Sequence, residues 1–273
     1  MSKLIVLDLD GTLLNNNSEV SEYSKKCLNE YERLGHMVVL ASQKNYGEMN
    51  SLHTSLNLHS PIICEGGSEL YFYNDSISDI VMSIDIDTLK EIFKENFDYI
   101  ISAFYHYKTN LFIHKRLDIL TPLYGINSTT VIHKNNFLNM DLIYPNMIFM
   151  VIDVNHDQDF LKNMEKYKEY IELTTLGKDL THALYYMNIK HVNKAYATLE
   201  LMMHTNYKLK DLIAVGDSLK DRNLLKLPAD TCAMINGEDE AKEVAKYISE
   251  FDNNNDGAVR FVNKILNIDI NKD

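Results

Sequence analysis

The sequence contains few cysteines, few prolines and fewer basic than acidic residues, and these shortages limit the classes of protein to which it can belong. Its 273 residues include three cysteines, four prolines and no tryptophan. Because Cys27, Cys64 and Cys232 lack paired spacing, they predict neither a disulfide framework nor a zinc knuckle, and we expect a reduced, cytoplasmic setting. No apolar run approaches the length of a membrane span, and the one at residues 4–7 is too short for a signal peptide.

Acidic residues outnumber basic ones, 39 against 27, which gives a formal net charge of -12. Such a chain offers no general attraction for nucleic acid or anionic lipid, so we predict neither a nucleic-acid nor a membrane partner. An anionic ligand would have to be held locally, by placed cations, backbone N–H groups or a metal. The length suits either one large α/β domain or a core domain carrying a second one.

Apolar strands alternate with polar helices at both ends of the chain, a pattern typical of a parallel α/β sheet. The buried-strand pattern of residues 4–7 is followed by a helical pattern over 21–34 and by a second apolar strand over 37–41. The alternation returns after residue 187, with an apolar strand at 212–215 and a later helix predicted over 239–247. Both ends therefore belong to one α/β domain.

Between residues 83 and 187 the pattern changes, because strands outnumber helices. The segment begins with a helix that a capping box of Thr88 and Glu91 is predicted to open, and tyrosine-rich and isoleucine-rich strands follow. This composition favours a mostly antiparallel α+β module. We therefore predict a core of residues 1–82 and 188–273, with an α+β domain inserted at 83–187.

Two of the predicted parallel strands end in acids. Asp8 and Asp10 follow the first strand, and Asp217 and Asp221 follow the strand at 212–215. Since active sites of open α/β sheets lie at such strand ends, these carboxylates are expected to share one opening. One carboxylate can attack a phosphorus atom while its neighbour transfers a proton, and an oxygen-rich acid group suits magnesium. The alternative is a set of solvated acids beside a glycine turn.

In these segments the chain resembles the Cof-type phosphatases of the haloacid dehalogenase superfamily, over nearly its whole length. Ser42 and Lys194 occupy the places of the second and third family motifs, and the first and fourth motifs read Asp8-Leu9-Asp10-Gly11-Thr12 and Gly216-Asp217-Ser218-Leu219-Lys220-Asp221. The resemblance implies an α/β fold, with a Rossmann-like parallel-sheet core and the domain at 83–187 as an inserted α+β cap. The interval between Asp8 and Ser42 is too short to hold such a cap.

The resemblance further implies a magnesium-dependent phosphatase that acts on small phosphorylated metabolites, sugar phosphates first, through an aspartyl-phosphate. Asp8 would be the nucleophile and Asp10 the general acid and base. The phosphate-binding residues would be Leu9, Ser42, Gln43, Lys194 and Lys220. The Mg²⁺ site would comprise Asp8, Asp10 through its backbone carbonyl, Asp217 and, in support, Asp221.

The sequence departs from the family pattern at several positions without losing the core acids. Gln43-Lys44 stands where Gly-Arg is usual, Glu65 where Asn commonly precedes glycine, Ala195 where Gly is usual and Lys220 where Asn is usual. Lys220 is equally compatible with a place near the substrate and with a surface orientation. Two other functions stay open. One is a sugar phosphomutase, because such enzymes share this superfamily's chemistry and a large cap, and the other is a phosphometabolite-binding protein that the changes at Gln43, Glu65 and Lys220 have cost catalysis.

Substrate choice would depend on loops of the cap that carry no motif. His106, Lys108, Lys178 and His182 are the candidate residues there. The sequence makes no prediction about the oligomeric state.

The end of the chain carries further likeness to Cof-type sequences. The matching segments are Ala233-Met234-Ile235-Asn236 and Asn255-Asp256-Gly257-Ala258-Val259. Residues 252–257 also match the first half of a calcium-binding EF-hand loop. Because Asn263 stands at its twelfth position instead of a bidentate Glu, calcium binding is not predicted.

Overall fold

A computed structural model describes residues 2–73 and 76–270 of the chain. Its strands are β1 (Leu4–Leu7), β2 (Met37–Ala41), β3 (Ile62–Cys64), β4 (Glu69–Tyr71), β5 (Ile80–Val81), β6 (Ile100–Tyr107), β7 (Asn110–His114), β8 (Val131–Lys134), β9 (Ile148–Asp153), β10 (Ile171–Lys178), β11 (His182–Ile189), β12 (Leu212–Gly216), β13 (Asp230–Ala233) and β14 (Tyr247–Ile248). Its α-helices are α1 (Glu22–Arg33), α2 (Tyr46–Ser55), α3 (Ile86–Glu95), α4 (Asp157–Met164), α5 (Lys194–His204), α6 (Arg222–Leu225), α7 (Asp239–Lys242) and α8 (Gly257–Leu266). None of the helices in this part of the chain has the length and apolar character needed to cross a membrane.

The first of two compact units takes in the chain up to Lys44, Met49–Ile80 and the chain from Asn193 onward. It is built on one sheet with the strand order β14-β13-β12-β1-β2-β3-β4-β5. The strands from β14 to β3 are parallel, and β4 runs antiparallel to β3. From β1 the chain builds outward through β2 and β3, whereas β12, β13 and β14 extend the other edge. The order therefore reverses between β1 and β12, the place where open α/β sheets bind their ligands.

The two central strands of this sheet are buried along their whole length. Every residue of β1 and the first four of β12 are fully inaccessible to solvent. Strands covered on both faces need continuous apolar runs, which explains why these segments do not alternate in polarity. Leu7 pairs with Val215 on one side and with Leu40 on the other, so the residues that follow these strands emerge at one edge.

The second unit comprises Asn45–Glu48 and Val81–Val192. Its sheet has the order β10-β11-β9-β6-β7-β8, and its pairings are antiparallel except for β7 with β8. Buried residues of α3 and α4, among them Phe93 and Phe160, pack against one group of strand side chains. Leu120 and Tyr124, from a 3-10 segment, pack with a second group. The α/β and α+β character predicted for the two parts of the chain is confirmed.

Two predictions of local structure were wrong. The helix expected over 239–247 ends at Lys242, because Tyr247 and Ile248 pair with β13 as the edge strand β14. The helix α3 is opened by Asp85 rather than by Thr88, since the Asp85 carboxylate accepts a hydrogen bond from the Thr88 backbone N–H at 2.9 Å. In both cases a nearby polar or strand partner decided the boundary.

Replacing Tyr31 by Phe is predicted to destabilise the first unit. The fully buried Tyr31 hydroxyl lies 2.9 Å from the Val259 carbonyl oxygen and 2.7 Å from Asn263 Oδ1, so it ties α1 to α8. Its loss leaves buried acceptors without this donor, and we expect the free energy of unfolding in urea to fall by about 1–3 kcal/mol. The Tyr170→Phe variant, altered at a side chain that is 65% exposed, should unfold like the wild type. Equal unfolding curves for all three proteins would contradict the prediction.

Candidate active site

Three parallel strands place polar residues at the same edge of the first unit's sheet. Asp8 follows β1 and extends its ladder, donating its backbone N–H to the Val215 carbonyl at 3.0 Å. Ser42 follows β2 and donates its backbone N–H to the Ile63 carbonyl at 3.0 Å. Asp217 follows β12, on the other side of β1. The structure therefore brings Asp8 and Asp217 to one edge of the sheet, as the sequence predicts for these two acids, and places Ser42 at the same edge.

The ammonium group of Lys194 lies between two buried carboxylates. Its Nζ atom is 2.5 Å from Asp8 Oδ1 and 2.6 Å from Asp221 Oδ1. All three side chains are almost inaccessible to solvent, Lys194 with 2% of its side chain exposed. A buried lysine is tolerated only with such partners, so Lys194 is part of the site and not a solvated surface lysine.

The position of Lys194 is fixed by the start of α5. Asn193 caps this helix, and its Oδ1 accepts hydrogen bonds from the backbone N–H groups of Ala195 and Tyr196. Gly67, at a φ of +108°, packs against the same helix start, and a Cβ atom there would lie 2.3 Å from the Asn193 carbonyl group. The turn at 65–67 can approach α5 this closely only because Gly67 has no side chain.

Asp8, Asp217 and Asp221 form an acid group in which one ligand oxygen from each lies within 4.8 Å of the others. The second oxygen of Asp221 accepts hydrogen bonds from the Asp217 N–H at 3.0 Å and from Ser218, so it also shapes the loop. Buried Thr12 donates its hydroxyl to Asp217 at 3.2 Å. The acids are therefore held together by the loops that carry them.

Gly11 allows the first acid-bearing loop to lie directly on Asp217. It has a φ of +78°, and a Cβ atom at this position would lie 2.4 Å from Asp217 Oδ2. Any other residue would combine backbone strain with a collision.

The acid group carries more negative charge than Lys194 neutralises. Burial raises the pKa of Asp8 to about 8, against the opposing effect of Lys194, and burial also raises the pKa of Asp217. Burial alone would lower the pKa of Lys194, but the charges of Asp8 and Asp221 outweigh it and raise that pKa. Clustered carboxylate oxygens with an uncompensated charge are the donor set of a hard divalent cation, and the residues present fit one.

Asp10, which the sequence predicts at the same opening as the other acids, is not one of the three acids of this group. Its side chain is 58% exposed, and its Oδ2 atom forms an ion pair with Lys44 Nζ at 2.8 Å. In the sequence, Lys44 stands out only as a departure from the usual Gly-Arg pair, and it was not predicted as a site residue. Its position two residues after Ser42 was the available signal.

The remaining predicted phosphate-binding residues differ in how far they are buried. Ser42 is buried, and its hydroxyl accepts a hydrogen bond from the Lys44 N–H at 3.2 Å. Gln43 is half-buried, with its amide next to Gly66. Leu9 is fully buried, whereas Lys220 lies exposed in the turn before Asp221. Their contacts with phosphate stay predictions.

Three of the substrate-binding candidates in the second unit have partners within that unit. His106 is buried, with Nε2 2.9 Å from the Tyr124 carbonyl oxygen. The Lys178 ammonium lies 2.8 Å from Asp157 Oδ2, and His182 Nδ1 lies 2.7 Å from the hydroxyl of its neighbour Thr181. The fourth, Lys108, also has a partner there, since its Nζ atom lies 5.9 Å from the centroid of the Tyr107 ring, and its backbone is left-handed with a φ of +52°.

Comparison with known proteins decides the family. The family model of haloacid dehalogenase-like hydrolases matches residues 5–262. The chain belongs to this family. The resemblance seen in the motifs is thereby confirmed.

Relatives of this haloacid dehalogenase-like hydrolase match along nearly its whole length. A Mycoplasma genitalium protein provisionally named a phosphatase is 27% identical over 276 residues, covering 97% of this chain and 98% of that protein. The Bacillus subtilis 5-amino-6-(5-phospho-D-ribitylamino)uracil phosphatase is 25% identical over 248 residues, covering 91% and 90%. A haloacid dehalogenase-like hydrolase from Bacteroides thetaiotaomicron shares the fold, with a TM-score of 0.78 at 21% identity and coverage of 97% and 100%. The predicted enzyme class, a phosphatase of this family, is confirmed.

The raised pKa of Asp8 predicts a pH-dependent stability when no divalent cation is bound. A carboxyl whose pKa rises from 3.8 to about 8 on folding favours the folded state at low pH, and this contribution is lost as the pH rises through that range. In EDTA, the wild type should therefore lose stability relative to Asp8→Asn between pH 5 and pH 8.5, by an amount on the order of a few kcal/mol. Urea unfolding of both proteins measures the difference, in which the acids remote from this site cancel. A difference in unfolding free energy between the two proteins that stays constant from pH 5 to pH 8.5 would refute the pKa shift.

Replacing Gly67 by Ala should displace Lys194. The new methyl group would meet the Asn193 backbone, so we expect lower phosphatase activity together with a loss of stability of about 1–3 kcal/mol. Gly35→Ala is the control, because Gly35 also has a positive φ, +83°, but open space where a Cβ would lie. If both variants behave alike, backbone strain and not the contact with α5 is responsible. Activity assays and melting curves distinguish the two.

Proposed function

We propose that this chain is a magnesium-dependent phosphatase that hydrolyses small phosphorylated metabolites, sugar phosphates first, through an aspartyl-phosphate on Asp8. The observation that carries the proposal is the buried contact of Asp8 with Lys194, beside Asp217 and Asp221, at the strand-order reversal of the sheet. A carboxylate with a fixed cation at its side and an acid group for a metal is suited to attack a phosphorus atom.

In the first half of the reaction, the Asp8 carboxylate attacks the phosphorus and the bond to the leaving oxygen breaks. Asp10 donates a proton to that oxygen, so the alcohol leaves neutral. Its exposed carboxylate is suited to this role, because it can reach a group that arrives from solvent. Lys194 and Ser42 hold the phosphoryl oxygens during transfer.

In the second half, Asp10 takes a proton from water, and the water oxygen attacks the phosphorus. The bond between Asp8 and phosphorus breaks, and inorganic phosphate is released. A second acid near the nucleophile therefore favours turnover over a long-lived phosphorylated protein. This favours a hydrolase over a protein that only binds its phosphometabolite.

Asp8, Asp217 and the backbone carbonyl of Asp10 would hold Mg²⁺, with Asp221 in support. When bound, the cation offsets the repulsion between an anionic carboxylate and an anionic phosphate. The closeness of the three carboxylates, with one oxygen of each within 4.8 Å of the others, is the feature of this structure that supports it.

We assign substrate choice to the inserted α+β domain at residues 83–187. The Bacillus subtilis relative is named for a substrate with a phosphorylated ribityl group, so phosphorylated polyols belong in the proposed class with sugar phosphates. The three cysteines are free and buried, which agrees with a reducing, cytoplasmic setting.

The proposal is tested by a screen of phosphorylated metabolites and para-nitrophenyl phosphate, with and without Mg²⁺, in which free phosphate is measured. We expect Asp8→Asn to lower kcat by about 10³-fold or more, and Asp10→Asn by about 10²–10⁴-fold. Asp159→Asn, altered at an exposed acid of α4, is the matched control and should retain full activity.

An Asp8→Asn protein that hydrolyses para-nitrophenyl phosphate at the wild-type rate would refute the mechanism. Phosphate retained on a sugar would identify a phosphomutase. Tight binding of a metabolite without turnover in Mg²⁺ would identify a binding protein.

A further inference from the structure

The turn between β13 and α7 contacts both loops that carry the acids. The side-chain amide of Asn236 donates a hydrogen bond to the Gly11 carbonyl at 2.8 Å. Two residues later, the backbone N–H of Glu238 donates to the Asp217 carbonyl at 2.7 Å. Residues 236–238, here called the brace, therefore connect the loop after β1 with the loop after β12.

Asn236 is itself held on its other side. Its Oδ1 atom accepts a hydrogen bond from the Asn253 backbone N–H at 3.1 Å. Asn253 is buried, and its amide donates to the Leu14 carbonyl at 2.9 Å and to Asn16 Oδ1 at 3.0 Å. An amide side chain is required at 236, because it must donate to one carbonyl and accept from one N–H at the same time.

The position of the Asp217 carboxylate depends on the position of the Gly11 turn. Gly11 packs so closely on the Asp217 carboxylate that a Cβ atom would lie 2.4 Å from it, and neighbouring Thr12 donates its hydroxyl to the same carboxylate. A shift of this turn must therefore displace the carboxylate or break the Thr12 hydrogen bond. The spacing of ligand oxygens decides how well a small cation is bound.

We propose that Asn236 is a positioning residue that holds the Gly11 turn against the Asp217 loop, and thereby sets the affinity of the acid group for a divalent cation. This inference rests on the proposed function, in which that cation is Mg²⁺. Asn236 is exposed, so its hydrogen bonds add little to global stability. Residues that orient the ligands of a metal commonly change its affinity by 10–100-fold.

The test is a calorimetric titration of the full chain with Mg²⁺ in the absence of substrate. Asn236→Ala removes both hydrogen bonds, whereas Asn236→Asp keeps the acceptor and loses the donor to Gly11. We expect the Mg²⁺ Kd to rise about tenfold in both variants, with melting temperatures within about 2 °C of the wild type. The Asp variant should bind more weakly despite its added negative charge, because its carboxylate faces the Gly11 carbonyl.

Asn254→Asp is the charge-matched control. The Asn254 Oδ1 atom accepts a hydrogen bond from the Asn16 N–H at 3.0 Å, an acceptor that Asp retains, and the variant introduces the same charge in the 3-10 turn after β14. It should keep the wild-type Kd. The Mg²⁺ concentration for half-maximal hydrolysis of para-nitrophenyl phosphate should rise in the Asn236 variants, with KM at saturating Mg²⁺ unchanged.

Unchanged Kd values in both Asn236 variants would overturn the inference, whether or not their melting temperatures fall. The same holds if Asn254→Asp weakens Mg²⁺ binding as much as Asn236→Asp does, because charge alone would then explain the change. A wild-type protein that binds no Mg²⁺ would instead refute the proposed function, and this inference with it.

Discussion

The structure of the site depends on the burial of one ammonium group between two carboxylates. An ammonium moved from water into a protein interior costs several kcal/mol unless ion pairs and hydrogen bonds offset that cost. Lys194 meets this condition with Asp8 on one side and Asp221 on the other, both at hydrogen-bonding distance. Removing either acid would leave the buried ammonium with one partner fewer, so Asp8, Lys194 and Asp221 form one group of interacting charges.

The surrounding chain holds these charged groups in place. Asp221 binds Lys194 with one oxygen and the backbone of its own loop with the other, which joins the charge pair to the loop after β12. Gly67 lets the turn after β3 approach the first residue of α5, and Gly11 lets the turn after β1 approach Asp217. These contacts fix the positions of Asp221, Lys194 and Asp217 in the site.

Much of this could be predicted from the sequence, and for a physical reason. Buried parallel strands are continuous apolar runs, so β1 and β12 are visible in the sequence, and Asp8 and Asp217, which directly follow them, had to lie at one edge of the sheet. Lys194 could be found only through the order of the family motifs, because an isolated lysine carries no sign of burial. Lys44 and Asn236 were missed as site residues because their importance comes from contacts with residues distant in the sequence, which no local pattern records.

The same limit explains the errors in local structure. The segment at 239–247 has the composition of a helix, but pairing with β13 turns its end into an edge strand. Asp85 and Thr88 are both good helix caps, and only the geometry of the chain before α3 selects Asp85. In both segments, contacts with other parts of the chain set the helix boundary that helix propensity alone does not determine.

The most direct test of the account is to find the phosphoryl group on Asp8 during turnover. The Asp10→Asn variant, in which loss of the base slows hydrolysis of the intermediate, would be mixed with para-nitrophenyl phosphate and Mg²⁺, quenched in acid and mapped by mass spectrometry of its peptides. The account predicts a phosphoryl group on the peptide that contains Asp8, and its absence when Asp8 is also replaced by Asn. Release of phosphate by the wild type with no phosphorylated Asp8 in either protein would contradict it.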